Sequence, residues 1–78
     1  SLEEITKINY SNVHIEIDTP DSLNKLYETI KEKGNSKIKI LFKKEEKNYL
    51  FELKDKRKFD YETLKCLNKE RYIKKIRV

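Results

Sequence analysis

The chain has 78 residues, of which 42% are charged, and it carries a formal net charge of +5. A chain of this length forms one small domain with a modest core and offers little room for a catalytic cleft. Its single cysteine, Cys66, excludes an internal disulfide bond and fits a reducing, cytoplasmic compartment, and no apolar run approaches the length of a membrane span.

The first segments are a lead-in and a strand. Residues 1–11 are predicted to be a helix stub or a linker, because Leu2, Ile5 and Ile8 have helical spacing over only a short stretch. A single small α+β domain is predicted to follow over residues 12–78. It opens with NVHIEID, which alternates apolar and polar residues and therefore indicates a strand with one buried face.

The segment from Thr19 to Gly34 is predicted to be the first helix. Thr19 is a favourable N-cap residue, and Pro20 suits the first helical position, where an N–H would have no helical partner. Gly34, the only glycine, is predicted to end the helix in the left-handed conformation. One apolar stripe has helical spacing and is expected to face the core: Leu23, Leu26, Tyr27 and Ile30.

Two strands joined by a short turn are predicted next. The first, KIKILFKK, directs its lysines outward, and Leu41 is its one apolar residue on the polar side. The turn EEKN leads into YLFELK, and so short a connection implies an antiparallel hairpin. The hairpin residues predicted to face the core are Ile38, Ile40, Phe42, Tyr49, Phe51 and Leu53.

The rest of the chain is predicted to form a helix and a last strand. FDYETLKCLNKE has apolar residues at helical spacing, and Asp60 can cap this second, shorter helix. RYIKKIRV is predicted to be a strand with Ile76 and Val78 on its apolar face.

The resulting element order, β-α-β-β-α-β, defines an α+β fold. Right-handed crossovers and one hairpin favour a two-layer, ferredoxin-like sandwich (a split βαβ) with a mostly antiparallel four-stranded sheet and two helices on one face. A different strand order remains open. Either the hairpin or the first strand is expected to lie at a sheet edge, where it can pair with a partner.

No residue pattern in the sequence indicates a catalytic, metal or cofactor site. His14 lies on the polar face of the first strand, and no serine or cysteine is placed beside it. Asp18 and Asp21 are explained by helix capping, whereas a divalent cation needs more oxygen ligands. Cys66 is predicted to be a buried filler between leucines rather than a reactive thiol. The residues therefore give no support to a cofactor site, and a small enzyme remains a third, least favoured class of function.

The positive charge is concentrated in the second half of the chain. Residues 1–36 carry four Lys against seven acids, and residues 37–78 carry fifteen Lys+Arg against seven acids. Two basic runs could join into a phosphate-facing patch on a sheet. Alternatively, the lack of Ala and Gln indicates an AT-biased coding sequence that inflates lysine everywhere. The residues proposed as partner contacts are Lys56, Arg57, Lys58, Lys74, Lys75, Arg77 and Val78.

From Val13 to Val78 the chain resembles the extreme C-terminal domain of the bacterial replicative DNA polymerase III alpha subunit. The resemblance runs in order through VHIEID, DSLNKLYETIKEKGNSKIKILF, NYLFEL, FDYETLKCLNKE and the terminal IRV. These are apolar positions that form the fold rather than chemical signatures. Where that family often has a Gly-containing turn before the last strand, this chain has KERYIKK.

The resemblance implies a non-catalytic region of a DNA-directed DNA polymerase, a transferase whose catalytic aspartates lie in a distant domain. In that family the region follows a single-strand-binding OB domain and is implicated in binding the tau subunit of the clamp loader during DNA replication. Tau would then be the protein partner, and residues 1–11 the linker from the OB domain. Single-stranded DNA is a second candidate partner, through the basic C-terminal half or the adjoining domain. The alternative function is a stand-alone basic nucleic-acid-binding module, and either form is expected to be monomeric in isolation.

Overall fold

The computed structural model describes residues 8–78. Part of the predicted lead-in, residues 1–7, lies outside the described residues. Of the rest, Tyr10 packs against the core, and its N–H donates to the Phe59 carbonyl at 3.1 Å. In chain order the elements are β1 (Asn12–Ile17), a 3₁₀ turn (Pro20–Ser22), α1 (Leu23–Thr29), β2 (Lys33–Lys44), β3 (Lys47–Glu52), α2 (Tyr61–Asn68) and β4 (Ile73–Arg77).

The four strands form one mixed sheet in the order β3-β2-β1-β4. The first strand, β1, pairs in parallel with β2, whereas the β1–β4 and β2–β3 pairs are antiparallel. The predicted α+β class, with four strands and two helices, is confirmed, but the sheet is mixed rather than mostly antiparallel. The ferredoxin-like split βαβ is not confirmed, because a split unit requires a strand between β1 and β2. Here Ile15 lies directly opposite Ile40.

The core lies between the sheet and the helices. Alternation along β1 and β2 turns every second residue to this side, and both helices contribute buried leucines to the same cluster, Leu26 from α1 and Leu67 from α2. Both helices therefore cover one face of the sheet, and no other described element covers the opposite face, which is called the open face below. The buried hydrophobic residues are Val13, Ile15, Ile17, Leu26, Ile30, Ile38, Ile40, Phe59, Leu67 and Tyr72.

The first helix is shorter than the sequence predicted. Thr19 has the extended backbone of an N-cap residue, but its side chain makes no capping hydrogen bond. The Asp18 carboxylate instead accepts from the Ser22 hydroxyl at 2.8 Å and from the Thr19 N–H at 2.6 Å. The hydrogen bond from Ser22 lowers the pKa of Asp18, and that from the Thr19 N–H adds to the effect. Helix α1 ends at Thr29.

The predicted left-handed role of Gly34 is wrong. No glycine among the described residues has a positive φ, and Gly34 lies in β2, which begins four residues earlier than predicted. The segment Lys56–Lys58 runs alongside the start of β2. The Gly34 N–H donates to the Lys56 carbonyl at 3.3 Å, and the Lys58 N–H donates to the Glu32 carbonyl at 2.8 Å. This pairing explains why the strand starts before Lys37.

Asp60 caps α2, as the sequence predicts. Its Oδ1 atom accepts from the Thr63 N–H at 3.0 Å and from the Thr63 hydroxyl at 3.0 Å. The backbone N–H of Thr63 is the largest cause that lowers the pKa of Asp60, because a carboxylate that accepts hydrogen bonds is favoured over its protonated form. Phe59, which opens the predicted helical segment FDYETLKCLNKE, precedes the cap and is buried.

Acid is expected to weaken the α2 cap. The folded-state pKa of Asp60 is depressed, so the carboxylate contributes its full stability above the unfolded pKa, and this is lost as the pH falls through the folded pKa. Asp60→Ala is expected to lower the free energy of unfolding by about 0.5–2 kcal/mol at neutral pH. Urea titrations should show a smaller difference in the free energy of unfolding between the variant and the wild type at a pH well below 3.8, the ordinary pKa of an aspartate. An equal difference at both pH values would contradict a role for the charged form.

The hairpin turn is shorter than the predicted four-residue segment EEKN. Lys44 pairs with Lys47, so only Glu45 and Glu46 form the turn, with φ values of 52° and 67°. Positive φ at both central residues is typical of a type I′ turn, which matches the twist of the two strands. In the strand that follows, Tyr49, predicted to face the core, is 43% exposed.

Two further predictions near the C-terminus are wrong. Val78 lies past the end of β4 and is 57% exposed rather than packed on the apolar face. Cys66, predicted to be buried, is exposed on α2. The β1–β4 register shifts between Glu16 and Ile17, which places Ile73 and Ile76 on the core side despite their odd spacing. Within residues 8–78, no helix is long and apolar enough to cross a bilayer.

Candidate functional site

The open face of the sheet carries a shallow groove of about 380 Å³. Alternation in β1 places His14 and Glu16 on this face, opposite the buried valine and isoleucines. Strand pairing sets Lys39 and Arg77 on either side of His14, and Leu41 and Lys75 on either side of Glu16. The residues that line the groove are His14, Ile15, Glu16, Lys39, Leu41, Leu50, Lys75 and Arg77.

The charge of the open face is positive. Within the paired registers of the four strands, alternation places five cations on it against two carboxylates, Glu16 and Glu52. Glu16 lies opposite Lys75 and Glu52 lies opposite Lys39, yet among residues 8–78 neither pair has its nitrogen and oxygen within 4.0 Å. The cations therefore remain available to an anionic ligand. They are Lys37, Lys39, Lys43, Lys75 and Arg77.

An apolar pair interrupts this charged face. Leu41, predicted to face the polar side, does so, and it lies directly opposite Leu50 on β3. Leu50 is 61% exposed. Single exposed apolar residues are ordinary, but adjacent leucines on an otherwise basic face provide a surface for a ligand with an apolar part.

The outermost strand, β3, forms a second surface. Among the strands that the structure describes, β3 has β2 as its only neighbour, so its other edge has no described strand beside it. Tyr49 lies on one face of this strand and stacks on Phe42 with the ring centroids 5.3 Å apart, while Leu50 lies on the other face. The prediction that the hairpin lies at a sheet edge is confirmed, whereas the alternative, the first strand, lies inside the sheet.

The first predicted basic cluster lies at the β3 side of β2. The backbone of Arg57 forms isolated β-bridges with Lys33 and Ser36. Arg57 is half-buried, and its side-chain Nε atom donates to the Asp55 carbonyl at 3.3 Å. The Lys58 ammonium lies 3.9 Å from a carboxylate oxygen of Glu32 and 3.9 Å from one of Asp60. Lys56 is exposed. Two of the three side chains therefore already contact groups of the domain.

The second predicted cluster lies on the opposite edge strand, β4. Lys75 and Arg77 reach the open-face groove, whereas Lys74 lies at the register shift with β1 and is exposed. Because β2 and β1 lie between the two clusters, their backbones are about 14 Å apart at the usual strand spacing. The structure thus joins Lys75 and Arg77 to Lys39 and His14 rather than to the Lys56–Lys58 run.

The sequence prediction did not select Lys39 or His14 as contacts, although the necessary signal was present. Alternation already placed both residues on polar strand faces. What the pattern lacked was the strand order, which brings β2, β1 and β4 side by side. Among the described residues, no group of three or more His, Cys, Asp or Glu is arranged to hold a metal ion.

Comparisons with known proteins find no family model that matches this chain and no curated protein with a significant match. The resemblance to the polymerase III alpha C-terminal domain therefore rests on the sequence segments quoted for it. The functional argument depends on the two surfaces, the open face of the sheet and the free edge of β3.

Proposed function

We propose that this domain is a non-catalytic interaction module that docks a partner protein at the free edge of β3. The single observation that carries the proposal is an edge strand with an exposed apolar side chain on each of its faces, Tyr49 and Leu50. Following the resemblance, the module would belong to a bacterial replicative polymerase alpha subunit, and its partner would be the tau subunit of the clamp loader.

An edge strand favours docking because its outer N–H and C=O groups can pair with an extended segment of another chain. Backbone hydrogen bonds of this kind supply affinity, and side chains on alternating faces supply specificity. In β3 these side chains are Tyr49, supported by its stacking on Phe42, and Leu50, supported by Leu41. The strand also lacks proline, which would interrupt such pairing.

The predicted contacts Lys56, Arg57 and Lys58 fit the same surface. Their segment runs beside the start of β2. It lies along the same edge of β2 that pairs with β3 later in the strand. A partner segment that pairs with β3 and continues along this edge would meet these cations next. Acidic residues at that end of the partner segment would complement them. Tethering the polymerase to the clamp loader in this way would keep the synthesis of both strands coupled.

The test is a titration of the domain with the C-terminal region of tau, followed by fluorescence anisotropy. We expect micromolar or tighter binding with only a shallow dependence on salt. Tyr49→Ala/Leu50→Ala should weaken binding at least tenfold, because it removes both apolar anchors while leaving the core intact. Ile8→Ala is the control, since Ile8 is an exposed apolar residue that is not part of β3.

Two outcomes would contradict the docking proposal. One is equal affinity of tau for the double variant and the control, which would separate binding from β3. The other is a domain that binds only single-stranded oligonucleotide, with affinity that falls steeply as salt rises. The second outcome would favour the stand-alone nucleic-acid-binding module.

A further inference from the structure

The open face of the sheet is a different surface from the free edge of β3, and its chemistry points to a different ligand. Within residues 8–78 no helix covers it, because both helices contribute to the core on the opposite side. Its centre is a groove between Lys39, Lys75 and Arg77. We propose that this face binds the phosphate backbone of single-stranded nucleic acid through these three cations.

The spacing of the cations suits a chain of phosphates. Lys75 and Arg77 are two residues apart on β4, so their backbones are separated by about 7 Å. Only β1 separates β4 from β2, so Lys39 lies about 10 Å from Arg77, backbone to backbone. Lys37 and Lys43 extend the row of cations in both directions along β2. Long, flexible lysine side chains can follow a polyanion across such a surface.

A nucleic acid fits this face better than an acidic peptide does. A peptide strand gains most of its affinity from backbone pairing, and the face of a sheet offers no free backbone groups. The groups that the face does offer are cations with no ion pair within 4.0 Å among residues 8–78, which are the groups that neutralise phosphates.

The apolar part of the groove favours a single strand over a duplex. Leu41 and Leu50 lie side by side within reach of the cations, and the His14 imidazole lies between Lys39 and Arg77. Bases that are not stacked in a helix can rest on such side chains, whereas a duplex presents only phosphates and groove edges. Because the aromatic residues Phe42 and Phe51 face the core side, contact with bases is limited and little sequence preference is expected.

Substitution of Glu16 tests the proposal through an expected gain of affinity for nucleic acid. Its carboxylate lies in the groove between Leu41 and Lys75, where it opposes any phosphate. Removing this charge with Glu16→Gln should therefore strengthen binding. A gain of affinity cannot arise from damage to the fold, so this variant remains informative where a loss would be ambiguous.

The experiment measures anisotropy of a labelled oligothymidylate at salt concentrations from about 50 to about 200 mM, the range over which phosphate contacts show a steep dependence. For Lys39→Gln/Arg77→Gln we expect at least a tenfold loss of affinity and a salt slope that is shallower by about 1.4, since each phosphate contact to a single strand contributes about 0.7. Glu16→Gln should bind at least twofold more tightly. Lys25→Gln/Lys65→Gln removes the same charge from exposed positions on the two helices, outside the groove, and should change affinity less than threefold.

Three results would overturn the proposal. The first is no binding by the wild type at the lowest salt. The second is an equal loss for the groove variant and the control variant, which would show attraction by net charge alone. The third is equal affinity for a duplex of the same length, which would exclude the single-strand assignment. None of these results depends on tau, so this proposal and the docking proposal can fail separately.

Discussion

Replacing Gly34 with alanine is expected to lower the free energy of unfolding by at least about 2 kcal/mol, as overpacking in a tight site does. A Cβ atom at this position would lie 2.5 Å from both the Cα and the N of Lys58, and 2.8 Å from the Arg57 carbonyl carbon. These neighbours are backbone atoms, so no change of rotamer relieves the clash. Either the segment Lys56–Lys58 moves away from β2 or the strand start shifts.

Chemical denaturation with urea measures this loss, and two variants control it. Asn35→Ala changes the next residue, which is exposed, and should shift the free energy of unfolding by less than about 0.5 kcal/mol. Lys58→Ala should not rescue Gly34→Ala, because the clash involves the Lys58 backbone and not its side chain. If Gly34→Ala matched Asn35→Ala, or if trimming Lys58 restored stability, the close backbone approach would be wrong.

The roles of Gly34 show what the sequence could and could not predict. A glycine after an apolar helical stripe usually ends a helix, and the local pattern KEKGNS contained nothing against that interpretation. The reason for a glycine at this position is instead a tertiary contact. Residues 56–58 pair with the start of β2 and require a residue without a side chain there. Local patterns predict conformation from neighbours along the chain, and this contact joins segments more than twenty positions apart.

Strand faces were predictable and strand order was not. Alternation correctly placed Ile15 and Ile40 inward and Leu41 outward, because burial of one sheet face requires a period of two. The same alternation is compatible with β3 lying beside β2 at the edge or between β1 and β2. Direct pairing of β1 with β2 decides this in favour of the edge.

The open-face site depends on that strand order. Had another strand separated β1 from β2, Lys39 would not lie beside His14, and the row from Lys39 to Arg77 would be broken. Because the strand order was not known from the sequence, the sequence prediction grouped basic residues by their proximity along the chain, as in KDKRK. The structure groups them by register across three strands, and these groupings share only Lys75 and Arg77.

Truncation of Phe59 is expected to have the largest effect on stability of any single substitution considered for this domain. Phe59 is the largest fully buried side chain among the described residues. Phe59→Ala removes its contacts and leaves a cavity, which typically costs about 3–5 kcal/mol. A domain of this size has a total of about 4–12 kcal/mol. The variant is therefore expected to lose at least about a quarter of the free energy of unfolding and to unfold at a clearly lower urea concentration than the wild type.

The reason for this sensitivity is that Phe59 joins three parts of the chain. Its ring meets Tyr10 edge-on, with the centroids 6.4 Å apart, and its carbonyl accepts from the Tyr10 N–H at 3.1 Å. The same carbonyl accepts from the hydroxyl of buried Ser36 at 3.5 Å, and that hydroxyl also donates to the Tyr10 carbonyl. Loss of the ring removes its edge-on contact with Tyr10 and the packing around these backbone hydrogen bonds, which join the chain before β1 to the start of β2.

Circular dichroism and urea denaturation of three variants test this role. Phe59→Leu keeps most of the buried volume and should cost clearly less than Phe59→Ala, because only a smaller cavity remains. Tyr49→Ala removes an aromatic ring of similar size from an exposed position and should cost least. If Phe59→Ala and Tyr49→Ala lowered the urea midpoint equally, Phe59 would not be the residue that holds the lead-in, β2 and α2 against one core.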